Sequence, residues 1–165
     1  MILAVDVHYS ATGGKAAGVL FEDWTSDHAS EVLTALIAAP EEYVPGEFYR
    51  RELPALLTVI APVLERVGTV VIDGYVSLGA EGRPGLGMHL WHELGGEVPI
   101  IGVAKTRFHG TPEECEVLRG QSQRPLFVTA VGLSLEEAKG HVRSMAGKHR
   151  LPTLLGEVDR LSRSG

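Results

Sequence analysis

Residues 2–7 read ILAVDV, a short apolar run that is typical of a buried β-strand but contains an aspartate. The segment Thr12-Gly13-Gly14-Lys15 is a turn signal, and residues 16–21 (AAGVLF) form a second apolar run directly after it. The two runs therefore predict a β-hairpin. The next apolar segment, residues 31–39 (EVLTALIAA), fits either a third strand or a short helix, and its position after a hairpin favours the strand.

The hydrophobic period changes at Arg51. From there, apolar side chains recur every three or four residues and define one face of a helix that ends near Gly68: Leu53, Leu56, Leu57, Ile60, Val63, Leu64 and Val67. Pro62 is expected to kink or shorten this helix, whereas Pro54 is tolerable in its first turn.

Strands and helices alternate along the rest of the chain. The pattern predicts strands at 69–72, 99–104, 116–118 and 126–131, and helices that carry Leu90, Trp91 and Leu94, that start at the capping box Ser134–Glu137, and that follow Pro152. A glycine-rich loop at 79–85 precedes the first of these helices. Hairpin strands followed by strand-helix alternation predict an α/β fold, with a mixed β-sheet flanked by helices.

Composition and charge restrict the class of protein. A length of 165 residues with 44% hydrophobic content matches one folded domain over residues 1–165. The single Cys115 and the absence of an apolar run of about 18 residues predict a cytoplasmic protein in a reducing compartment. The net charge of -6 argues against a broad basic surface that coats nucleic acid. Residues 1–80 hold 4 basic and 11 acidic residues, whereas residues 81–165 hold 11 and 10, so a phosphate site is expected in the second half.

Three carboxylates have unusual positions. Asp6 lies inside a predicted strand, Asp73 ends another, and Glu52 precedes Leu56 by four residues, at the start of the helix's buried face. Buried carboxylates are costly unless they are paired, protonated or bound to a cation, and three together would suit Mg²⁺ or Mn²⁺. Spacing alone favours a structural explanation more strongly, in which Asp6 ends its strand early, Glu52 interacts with the helix dipole and Asp73 begins a turn.

Two further polar residues are candidates for the same edge of the sheet. Lys105 follows a buried strand as Asp73 does, so it either contacts a phosphate or is simply solvated. His8 lies two residues after Asp6 and therefore on the same strand face, where it either supports Asp6 or packs, and packing is the favoured interpretation.

Six segments, taken in order, resemble the endonuclease V family, which comprises deoxyinosine 3′ endonucleases. The most specific are the YVPG segment with an Arg-Glu pair after it and the IGVAK segment. The six are VDVHY (5–9), YVPGEFYRRELPALL (43–57), VVIDG (70–74), PIIGVAKTRF (99–108), LSLEEA (133–138) and HRLPTLLGEVDRLSR (149–163).

The resemblance implies an RNase H-like fold and a nuclease that uses Mg²⁺ or Mn²⁺ to cut DNA or RNA at the second phosphodiester bond 3′ to inosine. It implies that Asp6, Glu52 and Asp73 hold the metal and that these three and Lys105 are catalytic, with Lys105 near the scissile phosphate. It also implies that Gly74 contacts the substrate and that a wedge opens the strand beside the lesion. The wedge residues are Tyr43, Val44, Pro45 and Gly46.

The sequence departs from the family pattern at two places. A His-Pro-Arg segment usually follows the Asp-Gly pair, but residues 75–90 read YVSLGAEGRPGLGMHL, with Arg83-Pro84 and no preceding histidine. A Gly-His pair usual before the Ser-Leu helix start is replaced by residues 129–133. Two alternatives therefore stay open: a catalytically weak nucleic-acid-binding protein, and an RNase H-like nuclease that acts on another structured substrate.

Overall fold

The computed structural model describes residues 1–11, 13–38 and 48–164, without the side chain of Phe48. The strands are β1 (Ile2–Ser10), β2 (Gly13–Phe21), β3 (Glu31–Ile37), β4 (Thr69–Asp73), β5 (Ser77–Leu78), β6 (Arg83–Pro84), β7 (Ile100–Ala104), β8 (Glu116–Val117) and β9 (Leu126–Val131). The α-helices are α1 (Phe48–Ile60), α2 (Leu86–Glu93), α3 (Leu135–Ser144) and α4 (Thr153–Arg163).

The main sheet is mixed. Among the described residues its seven strands lie in the order β3-β2-β1-β4-β7-β9-β8. Strand β1 is antiparallel to β2 but parallel to β4, which is in turn parallel to β7. Strand β9 then runs antiparallel to β7. The predicted amino-terminal hairpin and the mixed sheet with helices are therefore confirmed.

Each face of the sheet carries its own hydrophobic core. Leu3 and Val5 of β1 belong to the core that includes side chains of α1 and α2. Ile2 and Ala4 belong to the core that includes side chains of α3 and α4. Side chains alternate along a strand, so Asp6 has the same orientation as Ile2 and Ala4. The carboxylate of Asp6, in the middle of β1, is thereby placed on the α4 face of the sheet.

The first helix is shorter than its hydrophobic pattern suggests. Helix α1 begins at Phe48 rather than Arg51 and ends at Ile60, and a 3₁₀-helix continues over Ala61–Arg66. Pro62 lies in the first turn of this 3₁₀-helix. Proline cannot donate the backbone hydrogen bond that would continue an α-helix, so the predicted shortening at this residue is confirmed.

Two other segments test the sequence interpretation. The ambiguous segment after the hairpin is a strand, β3, as expected from its position. The glycine-rich loop contains a two-stranded pair, β5 and β6, that the sequence did not predict. Each of those strands has only two residues, too few to show a hydrophobic period. None of the helices within the described ranges has the length and apolar character that crossing a membrane requires.

Candidate metal centre

Three aspartates converge at the carboxyl-terminal edge of the parallel strands. One carboxylate oxygen from each of Asp6, Asp73 and Asp159 lies within 4.8 Å of those of the other two. The first two are neighbours because β1 and β4 are parallel and pair Val5 with Ile72, immediately before the aspartates. The third comes from α4, which packs against β1 and β2. Two strands and one helix thus position three carboxylates together.

Asp159 was not predicted as a site residue from the sequence. It follows Leu155 by four residues, and Leu155 and Val158 are both buried in the core. A helix places residues four apart on the same face, so Asp159 is at the edge of the buried face of α4. The same spacing identified Glu52 as a candidate on α1, and it was available for Asp159 as well.

Two cations contact this cluster. The Nζ atom of Lys105 lies 3.4 Å from Oδ1 of Asp159 and 3.8 Å from Oδ2 of Asp73. Arg163, one helical turn after Asp159, donates from Nε to the same Oδ1 atom at 3.1 Å. Asp73 and Lys105 therefore lie at the same edge of the sheet, as their positions after neighbouring strands predicted.

The carboxylate of Asp6 is held by two hydrogen bonds. The backbone N–H of Val7 donates to its Oδ1 atom at 2.8 Å. The Oγ atom of Ser162 donates to its Oδ2 atom at 3.3 Å and also contacts the carbonyl oxygen of Asp159 at 2.8 Å. Ser162 is 2% exposed. It therefore links the strand carboxylate to the helix that carries the third aspartate.

The electrostatics of the cluster disfavour ionisation of the two strand aspartates. Burial, with a further contribution from the charge of Asp73, raises the pKa of Asp6 to about 8. Burial also raises the pKa of Asp73, although Lys105 opposes that shift. Burial would raise the pKa of Asp159 too, but hydrogen bonds and charge from Arg163 and Lys105 outweigh it, so this pKa is lowered. The site therefore carries more negative charge than its two cations stabilise.

Glu52 lies beside the aspartates rather than among them. It is 6% exposed, and it lines a cleft together with Asp6 and Asp73. Burial raises the pKa of Glu52 to about 7, with Asp73 adding to the shift and Arg51 opposing it. The neighbouring guanidinium of Arg51 lies 4.3 Å from the ring centroid of Tyr9. The structure thus brings Glu52 to the same cavity from the opposite face of the sheet.

The other predicted residues have different outcomes. Gly74, directly after Asp73, has a φ of 132°, which favours glycine, and a Cβ atom there would contact nothing within 4 Å. The predicted wedge, residues 43–46, lies outside the described part of the chain. His8 is exposed, so the favoured interpretation that it packs in the interior is wrong. The strand continues past Asp6 beyond the core, which leaves this position at the surface.

The donor atoms of this cluster fit a hard divalent cation. Three carboxylates within 4.8 Å of one another supply only oxygen ligands. Burial, with a smaller contribution from the charge of Asp73, raises the pKa values of Asp6 and Glu52, so their charged forms are disfavoured without a cation. A dication would neutralise the excess charge that Lys105 and Arg163 leave. Asp6, Asp73 and Asp159 are the residues that could hold it.

The mixed sheet of this order, with carboxylates on two parallel strands and on a packed helix, is an RNase H-like fold. Solved structures of endonuclease V share the fold. The protein from Bacillus subtilis superposes with a TM-score of 0.79 at 21% identity, over 98% of this chain and 78% of that one. A Ciona intestinalis endonuclease V, bound to a 23mer DNA that contains an inosine, superposes with a TM-score of 0.78 at 18% identity, over 98% and 83%.

Sequence comparison identifies the family. The profile of endonuclease V matches residues 1–142. Curated endonucleases V from Rhodospirillum centenum and Streptomyces avermitilis are 31% and 32% identical over 86% and 90% of this chain. The aligned regions cover 66% and 72% of those proteins, so the first is matched over slightly less than two thirds of its length. The chain belongs to the endonuclease V family, a family of nuclease enzymes.

Proposed function

We propose that this protein is a metal-dependent endonuclease that hydrolyses a phosphodiester bond 3′ to inosine in DNA or RNA. The convergence of Asp6, Asp73 and Asp159 within 4.8 Å is the observation that carries the proposal. Membership of the endonuclease V family supports it. So does the fold shared with the Ciona intestinalis endonuclease V, which was crystallised with an inosine-containing DNA.

The aspartates would hold Mg²⁺ or Mn²⁺, with Glu52 as a further carboxylate from the adjoining cleft. A divalent ion in this position would activate a water molecule and neutralise charge on the scissile phosphate. The chain's own contribution is to fix the carboxylates. Ser162 and the N–H of Val7 orient Asp6. Asp73 is the last residue of β4, and Asp159 lies on α4. This rigid placement is what a metal site requires.

Lys105 is the proposed contact to the scissile phosphate. Its side chain is 30% exposed, and its Nζ atom lies 3.8 Å from Asp73 and 3.4 Å from Asp159. These distances are long for strong ion pairs, so neither carboxylate holds the ammonium group tightly. Lys105 would then be able to donate to a phosphate oxygen beside the metal. Gly74 leaves open space next to Asp73, which allows the sugar-phosphate backbone to approach closely.

Recognition of the lesion is assigned to the residues that resemble the family's wedge. In this proposal Tyr43, Val44, Pro45 and Gly46 open the strand beside the inosine, and an aromatic side chain on a Pro-Gly turn fills the gap left by a flipped base. In the sequence, only Glu47 separates these residues from α1, which carries Glu52. The cytoplasmic location and the single-domain organisation over residues 1–165 stay predictions.

The decisive experiment is a nicking assay on single- and double-stranded DNA and RNA, each with and without one inosine, in Mg²⁺ and in Mn²⁺. The proposal predicts inosine-dependent cleavage in at least one of these substrates. Inosine-dependent binding without nicking would favour a catalytically weak binding protein instead. A DNA junction cut faster than the inosine strand would favour an RNase H-like nuclease with another substrate. Absence of both binding and cutting would contradict all three.

A further inference from the structure

A second cleft lies next to the metal site, between the closed end of the β1–β2 hairpin and the carboxyl end of α4. Its walls include His8, Lys15 and Leu36 on the sheet and Ser162 to Ser164 at the end of the helix. The two sites are connected through Ser162, which lines this cleft and donates to Asp6. The two sites therefore lie on either side of Ser162.

The sheet side of the cleft is a row of side chains that share the face of Asp6. His8 follows Asp6 by two residues, roughly 7 Å along the strand. Lys15 of β2 is the direct cross-strand partner of His8, and Leu36 of β3 is the partner of Lys15. The row leads away from the metal site across three strands and ends at Leu36, which is 86% exposed.

The described lining of this cleft is positively charged, although the chain as a whole is negatively charged. Its described lining contains Lys15 and Arg163 but no aspartate or glutamate, whereas the whole chain has a net charge of -6. The Nζ atom of Lys15 donates to the carbonyl oxygen of Ser164 at 3.0 Å and to its Oγ atom at 3.1 Å. Both acceptors are neutral, so the ammonium charge of Lys15 has no acidic partner among its described contacts.

We propose that this cleft is a subsite for the nucleic-acid backbone, in which Lys15 binds a phosphate flanking the scissile one. This inference rests on the proposed function, because it places the subsite on the strand that reaches the metal. Charged hydrogen bonds to phosphate are stronger than those to neutral carbonyls, so a phosphate displaces the Ser164 contacts. The exposed side chain of His8 supplies a further hydrogen-bonding group. Leu36 gives an apolar surface against which the adjoining sugar or base lies.

A purely structural role for Lys15 is the competing explanation. A lysine near the end of a helix stabilises the last carbonyl groups, and Lys15 does contact Ser164, just after the end of α4. In that case removal of the lysine would lower the melting temperature but would leave phosphate binding unchanged. Measuring both quantities separates the two roles.

The test uses an Asp73→Asn background, which prevents cleavage during binding, and a single-stranded DNA with one inosine. Affinity is measured against salt for this protein and for versions that add Lys15→Gln, Lys15→Arg or Arg143→Gln. Arg143 is an exposed residue of α3, which packs on β9, four strands from β2, and it serves as the matched charge control. Each protein is then tested with DNAs in which single linkages near the scissile bond are neutral methylphosphonates.

The expected result is roughly a tenfold loss of affinity for Lys15→Gln and a decrease of about 0.7 in the magnitude of the salt slope. Lys15→Arg should retain the slope, and Arg143→Gln should change it far less. One methylphosphonate linkage should weaken the parent protein but not the Lys15→Gln protein, which identifies the bound phosphate. An unchanged slope and additive effects at every linkage overturn the subsite, even if inosine strands are cut. A wild-type protein that neither binds nor cuts nucleic acid overturns the proposed function, and the subsite with it.

Discussion

The Nζ atom of Lys105 lies 3.4 Å from Oδ1 of Asp159, which joins the end of β7 to a helix 54 residues later in the chain. The same carboxylate oxygen accepts a hydrogen bond from Arg163 at 3.1 Å. Asp159 on α4 therefore contacts both cations of the site, Lys105 at the sheet edge and Arg163 on its own helix. This position makes it as important to the proposed metal site as the two strand aspartates.

Asp159→Asn is predicted to remove metal-dependent cleavage almost completely while the protein stays folded. The amide is a weaker ligand for a hard dication than a carboxylate, and it removes one charge from the site. Cleavage rates and the Mg²⁺ concentration for half-maximal activity give the measurement. Glu157→Gln is the matched control, because Glu157 is a carboxylate on the same helix that lies outside the cluster of three. Equal activity in the two variants would show that Asp159 does not belong to the site.

The metal-free protein is predicted to lose stability as the pH rises from about 5 to about 8. The pKa of Asp6 is raised from 3.8 to about 8 in the folded state, so the folded protein binds more protons than the unfolded chain between these values. Its free energy of unfolding therefore falls with increasing pH across this window. Glu52, whose pKa is raised from 4.5 to about 7, contributes with the same sign.

Thermal unfolding in a chelating buffer measures this dependence. Asp6→Asn should flatten it and raise the melting temperature near pH 8, because the asparagine carries no charge to bury. Addition of Mg²⁺ should stabilise the wild-type protein by about 2.7 kcal/mol at one hundred times its dissociation constant and should stabilise Asp6→Asn much less. A melting temperature that rises from pH 5 to pH 8 without metal would contradict the assigned environment of Asp6.

Arg119 is predicted to be a structural support for the metal site. It is 6% exposed and donates from its guanidinium to the carbonyl oxygens of Met145, Gly147 and His149 at 2.5, 3.1 and 2.7 Å. These carbonyls belong to the segment that leads into α4. Removing the guanidinium would leave buried carbonyl groups without donors, at a cost of about 1–3 kcal/mol for each such group.

Arg119→Met should therefore lower the melting temperature by several degrees and reduce cleavage below that temperature, because the segment before α4 helps to position Asp159. Arg124→Met is the control, since Arg124 is exposed on the loop before β9. A variant with unchanged stability would show that the carbonyls find other donors.

Much of the fold could be predicted from local pattern. The hairpin, β4, β7, β9 and the helix at the capping box each follow from apolar runs or caps that act within a few residues, and Ser134 does accept a hydrogen bond from the N–H of Glu137. The strand β3 was ambiguous because its exposed and half-buried side chains alternate at an edge, with little buried surface. The pair β5–β6 was missed because two-residue strands carry no period.

The site was only partly predictable for a different reason. Asp6 and Asp73 stood out because a charge inside or at the end of an apolar run is unusual, but their distance depends on strand order, which a single sequence does not specify. The four-residue spacing from Leu155 could have identified Asp159, but α4 carries several charged residues, so one more acid on it is not unusual. The charge balance between the two halves of the chain predicted a phosphate site in the second half, which contains the proposed contact Lys105, whereas the further proposed contact Lys15 lies in the first half.

The clustered aspartates are proposed to form a metal site that cuts beside inosine. The most direct test of this proposal maps the products of one end-labelled inosine strand at single-nucleotide resolution, with Mg²⁺, for the wild-type protein and for Asp73→Asn. We predict one cut at the second phosphodiester bond 3′ to inosine for the wild type. We predict none for Asp73→Asn at an unchanged fold. Cleavage of equal rate and position by Asp73→Asn would contradict the account.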